Sequence, residues 1–114
     1  MAVNEDGTAS ADTVAGRDPS PRHAGWTFLS NYGHVLVCIA ADPTARLRDI
    51  AAAVGITERA TFNIVDELVD GGYVRRIRDG RRNRYEVCGE LPLRHQLEAA
   101  HTIGELLRAV AGTR

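Results

Sequence analysis

The sequence predicts a mainly α-helical chain of the α+β class, with one β-hairpin set among helices. Three observations carry this. Apolar residues recur at helical spacing in three successive stretches between residues 31 and 70. From Tyr73 to Val87 the period changes from about 3.6 to about 2, around an Asp79-Gly80 turn signal. After Pro92 the helical period returns. At 114 residues and 44 % apolar content the chain is sized for one globular domain with a single core.

Residues 1–25, "MAVNEDGTASADTVAGRDPSPRHAG", have neither period and no aromatic residue. Such a segment cannot bury enough apolar area to offset its ordering entropy, so a disordered N-terminal tail is expected. Ser30 is a suitable N-cap and Asp42-Pro43 a stop signal, which brackets a first helix at about residues 31–41. Tyr32, Leu36, Ile39 and Ala40 share one of its faces. In "LRDIAAAVGI", Leu47, Ile50, Ala51 and Val54 repeat the helical spacing, and Gly55 suits the left-handed residue that ends a helix. Thr57 caps a third helix, "ERATFNIVDELVD", with Thr61, Ile64, Val65 and Leu68 inward and Gly71-Gly72 at its end. "YVRRIR" and "RYEV" then flank "DGRRN" as the two strands of a hairpin, with Tyr73, Ile77, Tyr85 and Val87 supplying its apolar side. Pro92 opens a long last helix whose wide apolar face holds Leu93, Leu97, Ala100, Ile103, Leu107 and Val110.

Two helices joined by a short glycine-containing turn form a helix-turn-helix, and the charged hairpin after them is a wing. The expected organisation is a tail over residues 1–25, a winged helix-turn-helix domain over residues 26–90 and a C-terminal helix over residues 91–114 that joins two copies.

Charge is uneven along this frame. The whole chain carries a formal net charge of −1, yet Arg75 to Arg84 holds six arginines and one aspartate, a local +5. The absence of lysine fits a GC-rich genome and carries no mechanism.

The stretch "LRDIAAAVGITERATFNIVDELVDGGYVRRIRDGRRNRYEV" resembles the winged helix-turn-helix core of bacterial MarR-like and ArsR-like transcriptional regulators. The segments that carry the resemblance are "IAAAVGIT" and "IVDELVDGGYV", and "LPLRHQLEAAHTIGELL" is similar to the C-terminal part of small MarR-like regulators. The resemblance implies a dimeric regulator that reads a short palindromic operator.

The residues support such a reading on their own terms. With its apolar side inward, the third helix turns Arg59, Asn63 and Asp66 outward, with Phe62 on the flank. In the major groove Arg59 suits guanine, Asn63 suits adenine and Phe62 suits a thymine methyl; equally, Phe62 packs under the wing. Thr57 and the helix N-terminus offer a phosphate site. Arg81, Arg82, Asn83 and Arg84 sit at the wing tip, placed for phosphate or a narrow minor groove. Arg48, near the start of the second helix, is a further phosphate candidate. The plain alternative for the wing is a solvated turn whose arginines pair with nearby acids.

The acids of the third helix oppose this assignment. Glu58, Asp66, Glu67 and Asp70 against Arg59 give −3, although most lie in the half that points away from DNA. They favour the rival reading, a protein-interaction module on the same fold. A third reading is an effector-gated regulator with a small-molecule pocket at the dimer interface, lined by Trp26, Phe28 and Tyr32; the plainer alternative is that these three are ordinary core aromatics. The last helix is expected to pair across a two-fold dimer through Leu97, Ile103, Leu106, Leu107 and Val110, or else to fold back on its own core.

Other classes find little support. His95, Glu98 and His101 do not share a helical face closely enough for a metal, and no cofactor is expected. Cys38 and Cys88 form no C-x-x-C pair and are expected as free thiols. No phosphate loop, nucleophile elbow or carboxylate pair suggests an enzyme. The longest apolar run, Val35 to Ala41, is too short to span a bilayer, and the polar N-terminus has no secretion signal, so a cytoplasmic location is expected.

Overall fold

The computed structural model describes residues 25–111. Most of the expected disordered tail, residues 1–24, lies outside them. The chain divides into two units, residues 1–30 and residues 31–114, and the fold below belongs to the second. Its elements run α1 (Asn31–Ala41), α2 (Leu47–Val54), α3 (Glu58–Asp70), β1 (Val74–Asp79), β2 (Arg82–Val87) and α4 (Ile103–Ala111). No helix among the described residues is long and apolar enough to cross a membrane.

The core gathers one face from each helix. Val35, Leu36 and Ile39 come from α1, Ile50 from α2, Ile64, Val65 and Leu68 from α3, and Ile103 and Leu107 from α4; Val74 and Tyr85 join them from the hairpin. The α1 face is rotated from the expected one. Val35 is buried, whereas Tyr32 and Ala40 are exposed, because α2, α3, α4 and β2 all pack on the side that Val35 shares with Leu36 and Ile39. The α3 face is the expected one, including Thr61 at 0 % exposure, whose Oγ1 donates to the Thr57 carbonyl at 2.9 Å and so satisfies its buried hydroxyl within the helix.

The helix ends follow local chemistry. Gly55 closes α2 at φ 91°, a left-handed conformation open to glycine at little cost. At the end of α3, Gly72 (φ 86°) holds the positive dihedral that turns the chain into β1.

The hairpin is antiparallel, with Arg76 opposite Tyr85 and Ile77 opposite Arg84. That register puts Val74, Arg76, Tyr85 and Val87 on one face, and Arg75, Ile77, Arg84 and Glu86 on the other. Ile77 therefore does not share a side with Tyr85 and Val87 as expected; it is half-buried among the charged residues of the outer face. The two-residue loop is Gly80-Arg81, with glycine at φ 69° in the first central position, as type II′ hairpins favour. The Tyr85 amide donates to the Pro43 carbonyl at 2.9 Å, so the turn between α1 and α2 lies along the free edge of β2.

The largest departure from expectation is the last helix. It begins at Ile103 and not at Pro92. Residues 91–102 instead form a looped excursion closed by a bridge between Pro92 and Thr102, with Leu93 N–H donating to the His101 carbonyl (2.9 Å) and Ile103 N–H to the Leu91 carbonyl (2.9 Å). The reason is a capping box. Thr102 Oγ1 accepts from the Glu105 amide (3.1 Å), while the Glu105 carboxylate accepts from the Thr102 amide (2.9 Å). The Gly104 amide also donates to the Gly89 carbonyl at 2.9 Å, which ties the start of α4 to the end of the wing.

These contacts make the α4 start sensitive to acid. The Thr102 amide, and then the His101 side chain at 3.1 Å, hold the Glu105 carboxyl below the usual carboxylate range. A lowered folded value contributes stability at pH above the unfolded value and loses it as pH falls through the folded one. Denaturant midpoints for wild type should therefore fall between neutral pH and about pH 3 by more than those for Glu105→Gln, since glutamine keeps the cap but does not titrate. Equal falls in both chains would remove the assignment.

Candidate nucleic-acid interface

The outward side of α3 follows from its buried side. With Thr61, Ile64, Val65 and Leu68 inward, Arg59, Phe62 and Asn63 are left exposed within one turn of each other. The side chains of Arg59 and Asn63 make no hydrogen bond or ion pair among the described residues. Phe62 is 47 % exposed and stands outside the core cluster, so it is not tucked beneath the wing. Thr57 Oγ1 accepts from the Ala60 amide at 2.9 Å, which commits its lone pair to the cap and leaves its O–H able to donate to an anion.

The wing arginines are not equivalent. Arg75 and Arg84 pair with the two oxygens of Glu86, at 3.2 and 3.0 Å. Arg76 reaches back to Asp66 on α3 at 3.3 Å. Arg78 Nε donates to the Gly80 carbonyl (3.0 Å) and Arg82 to the Thr44 carbonyl (2.8 Å), so both keep their full charge. Arg81, at the tip, has neither hydrogen bond nor ion pair among the described residues. Counting Asp79, Asp66 and Glu86 against the six arginines lowers the wing's charge to +3, concentrated at the tip.

Beside the tip lies a cleft of about 290 Å³, bounded by Thr44, Arg46 and Leu47 on one side and Arg81, Arg82 and Asn83 on the other. Arg46 occupies the N-cap position of α2 without capping it through its side chain. The α2 N-terminus, with its unpaired amides and positive dipole end, therefore borders the same basic cleft. Arg46 was not singled out from sequence; the signal available was an arginine directly before an amphipathic run. Arg48 is exposed in the first turn of α2 and does not line the cleft.

The model of the MarR family matches residues 30–83, which covers α1, the helix-turn-helix and the wing as far as its tip. Residues 30–83 are thus similar to the MarR-family winged helix. No curated protein matches the chain in sequence. The MarR family implies a DNA-binding transcriptional regulator.

Within this MarR-type frame the acids of α3 are less of an obstacle than their number suggests. Asp66 is paired with Arg76, and Glu67 accepts the hydroxyl proton of Tyr32 on α1. That hydrogen bond holds the Tyr32 proton in place and pushes its pKa above the usual phenol value. Tyr32 is thus engaged with the MarR helix α3, while Trp26 and Phe28 meet edge to face at 4.9 Å and remain 56 % and 92 % exposed.

The residues expected at a dimer interface separate into two groups. Ile103 and Leu107 are 6 % exposed and belong to the chain's own core. Leu97 is 86 % and Val110 48 % exposed, and Leu106 is half-buried. Leu97 lies in the looped excursion before α4, so it does not share a helix with the others.

Among the described residues no three of His, Cys, Asp and Glu are grouped to hold a metal ion. His95 Nδ1 accepts from the Leu97 amide at 3.0 Å, and His101 faces Glu105. Both cysteines are free and half-buried, and burial pushes the Cys38 thiol up, away from the reactive thiolate.

Proposed function

We propose that this chain is a sequence-specific duplex-DNA-binding transcriptional regulator that acts as a homodimer in the bacterial cytoplasm. The observation that carries the reading is that three polar groups stand exposed with no side-chain partner among the described residues: Arg59 and Asn63 on α3, and Arg81 at the wing tip. In this reading α3 enters the major groove, with Arg59 on guanine, Asn63 on adenine and Phe62 against a thymine methyl. The basic cleft formed by Arg46, Arg81 and Arg82 lies over the backbone, where the α2 N-terminus and the Thr57 hydroxyl add neutral donors to phosphate. Arg48 and Asn83 flank it, and Arg84 contributes less because Glu86 already holds it.

Pairing of two copies would draw on the apolar surface that the monomer leaves open, at Leu97, Leu106 and Val110. It would set the two α3 helices about 34 Å apart, one turn of DNA. The protein-interaction reading rests on the acids of α3; Asp66 and Glu67 are engaged inside the chain, which leaves the exposed Glu58 and Asp70 as its remaining support.

The test is fluorescence anisotropy with random duplex DNA at low and moderate salt. Wild type should bind, and binding should weaken steeply with salt. Arg81→Ala should bind several-fold more weakly, with a salt slope shallower by about 1, because one phosphate contact is lost. No binding by wild type at roughly 50 μM in low salt, within the usual non-specific range, would overturn the reading.

A further inference from the structure

We propose that Glu86 is a built-in competitor for DNA phosphate, which confines the wing's grip to its tip. The inference rests on the DNA-binding reading and adds a residue that sets its strength. Glu86 is the acid of β2, two positions from Arg84 on the same strand face and directly opposite Arg75 on β1. Its two oxygens are divided between those arginines, Oε1 to Arg75 and Oε2 to Arg84. One carboxylate therefore engages two of the wing's six arginines, and both share the outer face with Arg82.

A guanidinium bound to a carboxylate has part of its charge neutralised and some of its donors occupied. To meet a phosphate it must share or give up that contact, so it releases little counterion on binding. Arg81 carries no such partner, and the partners of Arg78 and Arg82 are neutral carbonyls. The wing is consequently divided into a free tip and a restrained base. The three groups of the ladder are all accessible, with side-chain exposures of 65 % for Arg75, 38 % for Arg84 and 40 % for Glu86, so solvent and DNA can reach the contact that must be exchanged.

Two roles for Glu86 predict opposite results. A cross-strand ion pair that merely steadies the hairpin predicts that its loss weakens both fold and DNA binding. A competitor predicts that its loss strengthens DNA binding. The experiment measures anisotropy with random duplex DNA across a salt series for wild type, Glu86→Gln, and Asp70→Asn, which removes one negative charge at the exposed end of α3 without freeing an arginine. A fourth chain combines Arg75→Ala, Arg84→Ala and Glu86→Gln. Glu86→Gln should bind about 3–10-fold more tightly at low salt, with a slope steeper by about 1–2, since up to two arginines become available to phosphate. Asp70→Asn should change affinity by less, and the triple variant should lose the gain.

Unchanged or weaker binding by Glu86→Gln, or an equal gain in Asp70→Asn, would overturn the proposal. If wild type binds and responds to Arg81→Ala while Glu86→Gln does nothing, only this inference fails. If neither wild type nor Glu86→Gln binds, the DNA reading fails with it.

Discussion

Tyr85→Ala is expected to cost on the order of 3–5 kcal/mol of folding stability, the usual loss for truncating a buried aromatic side chain. Tyr85 is 4 % exposed and carries the inner face of the wing into the core. Its truncation leaves a cavity between helices and hairpin. It also weakens the seat of a backbone contact, since the amide of the same residue donates to Pro43. The wing should then detach before the helices unfold. Urea denaturation followed by circular dichroism measures the first effect; the salt dependence of DNA binding reports the second, because a loosened wing no longer holds Arg81 and Arg82 beside the cleft. Tyr85→Phe, which keeps the ring, should lose less than about 1.5 kcal/mol. A loss below about 1 kcal/mol in the alanine variant would mean that Tyr85 is not what fixes the wing.

Gly104→Ala is expected to destabilise by about 1–3 kcal/mol through overpacking. A Cβ at this position would stand 2.9 Å from the Gly89 carbonyl oxygen and 3.4 Å from the Gly89 Cα and carbonyl carbon. These are backbone atoms, which cannot rotate away, so either α4 or the turn after β2 must move. Movement would also strain the bond from the Gly104 amide to the Gly89 carbonyl. Helix propensity opposes this, favouring alanine over glycine by up to about 1 kcal/mol, but the displacement outweighs it. A urea midpoint that rises in the variant would show that propensity alone governs the site and that the two backbones are not held together.

The distinction between local and non-local information explains what the sequence revealed. The residues of α2 and α3 could be placed from Thr57, Gly55 and the apolar spacing, because caps and left-handed glycines act within a turn of where they stand. The outward positions of Arg59, Phe62 and Asn63 followed from the same period. The last helix starts later than its pattern suggests: residues 92–110 carry an unbroken helical period, and nothing local forbids a helix there. The sequence did hold the correcting signal, the Thr102-x-x-Glu105 capping box, but the deciding contact pairs Gly89 with Gly104, fifteen positions apart. The wing's internal ion pairs were hidden for the same reason. A count of arginines gives the charge of a segment, whereas the hairpin register decides that Glu86 meets Arg75, and the packing of β1 on α3 decides that Arg76 meets Asp66.

The bond from the Tyr85 amide to the Pro43 carbonyl has a consequence for how the protein behaves at high concentration. A two-stranded ribbon exposes two rows of unsatisfied backbone groups, and such rows invite strands from other molecules. Here one row is covered by the Pro43–Ala45 turn, with Arg82 closing on Thr44 alongside. The other edge belongs to β1, where Arg78 keeps its full charge and makes neighbouring copies repel one another, and the ion-paired Arg75 and Arg76 add bulky polar side chains. The β1 arginines therefore guard the hairpin against intermolecular β-sheet growth, a task separate from that of the tip, so a substitution that neutralises Arg78 endangers solubility while leaving Arg81 and Arg82 in place.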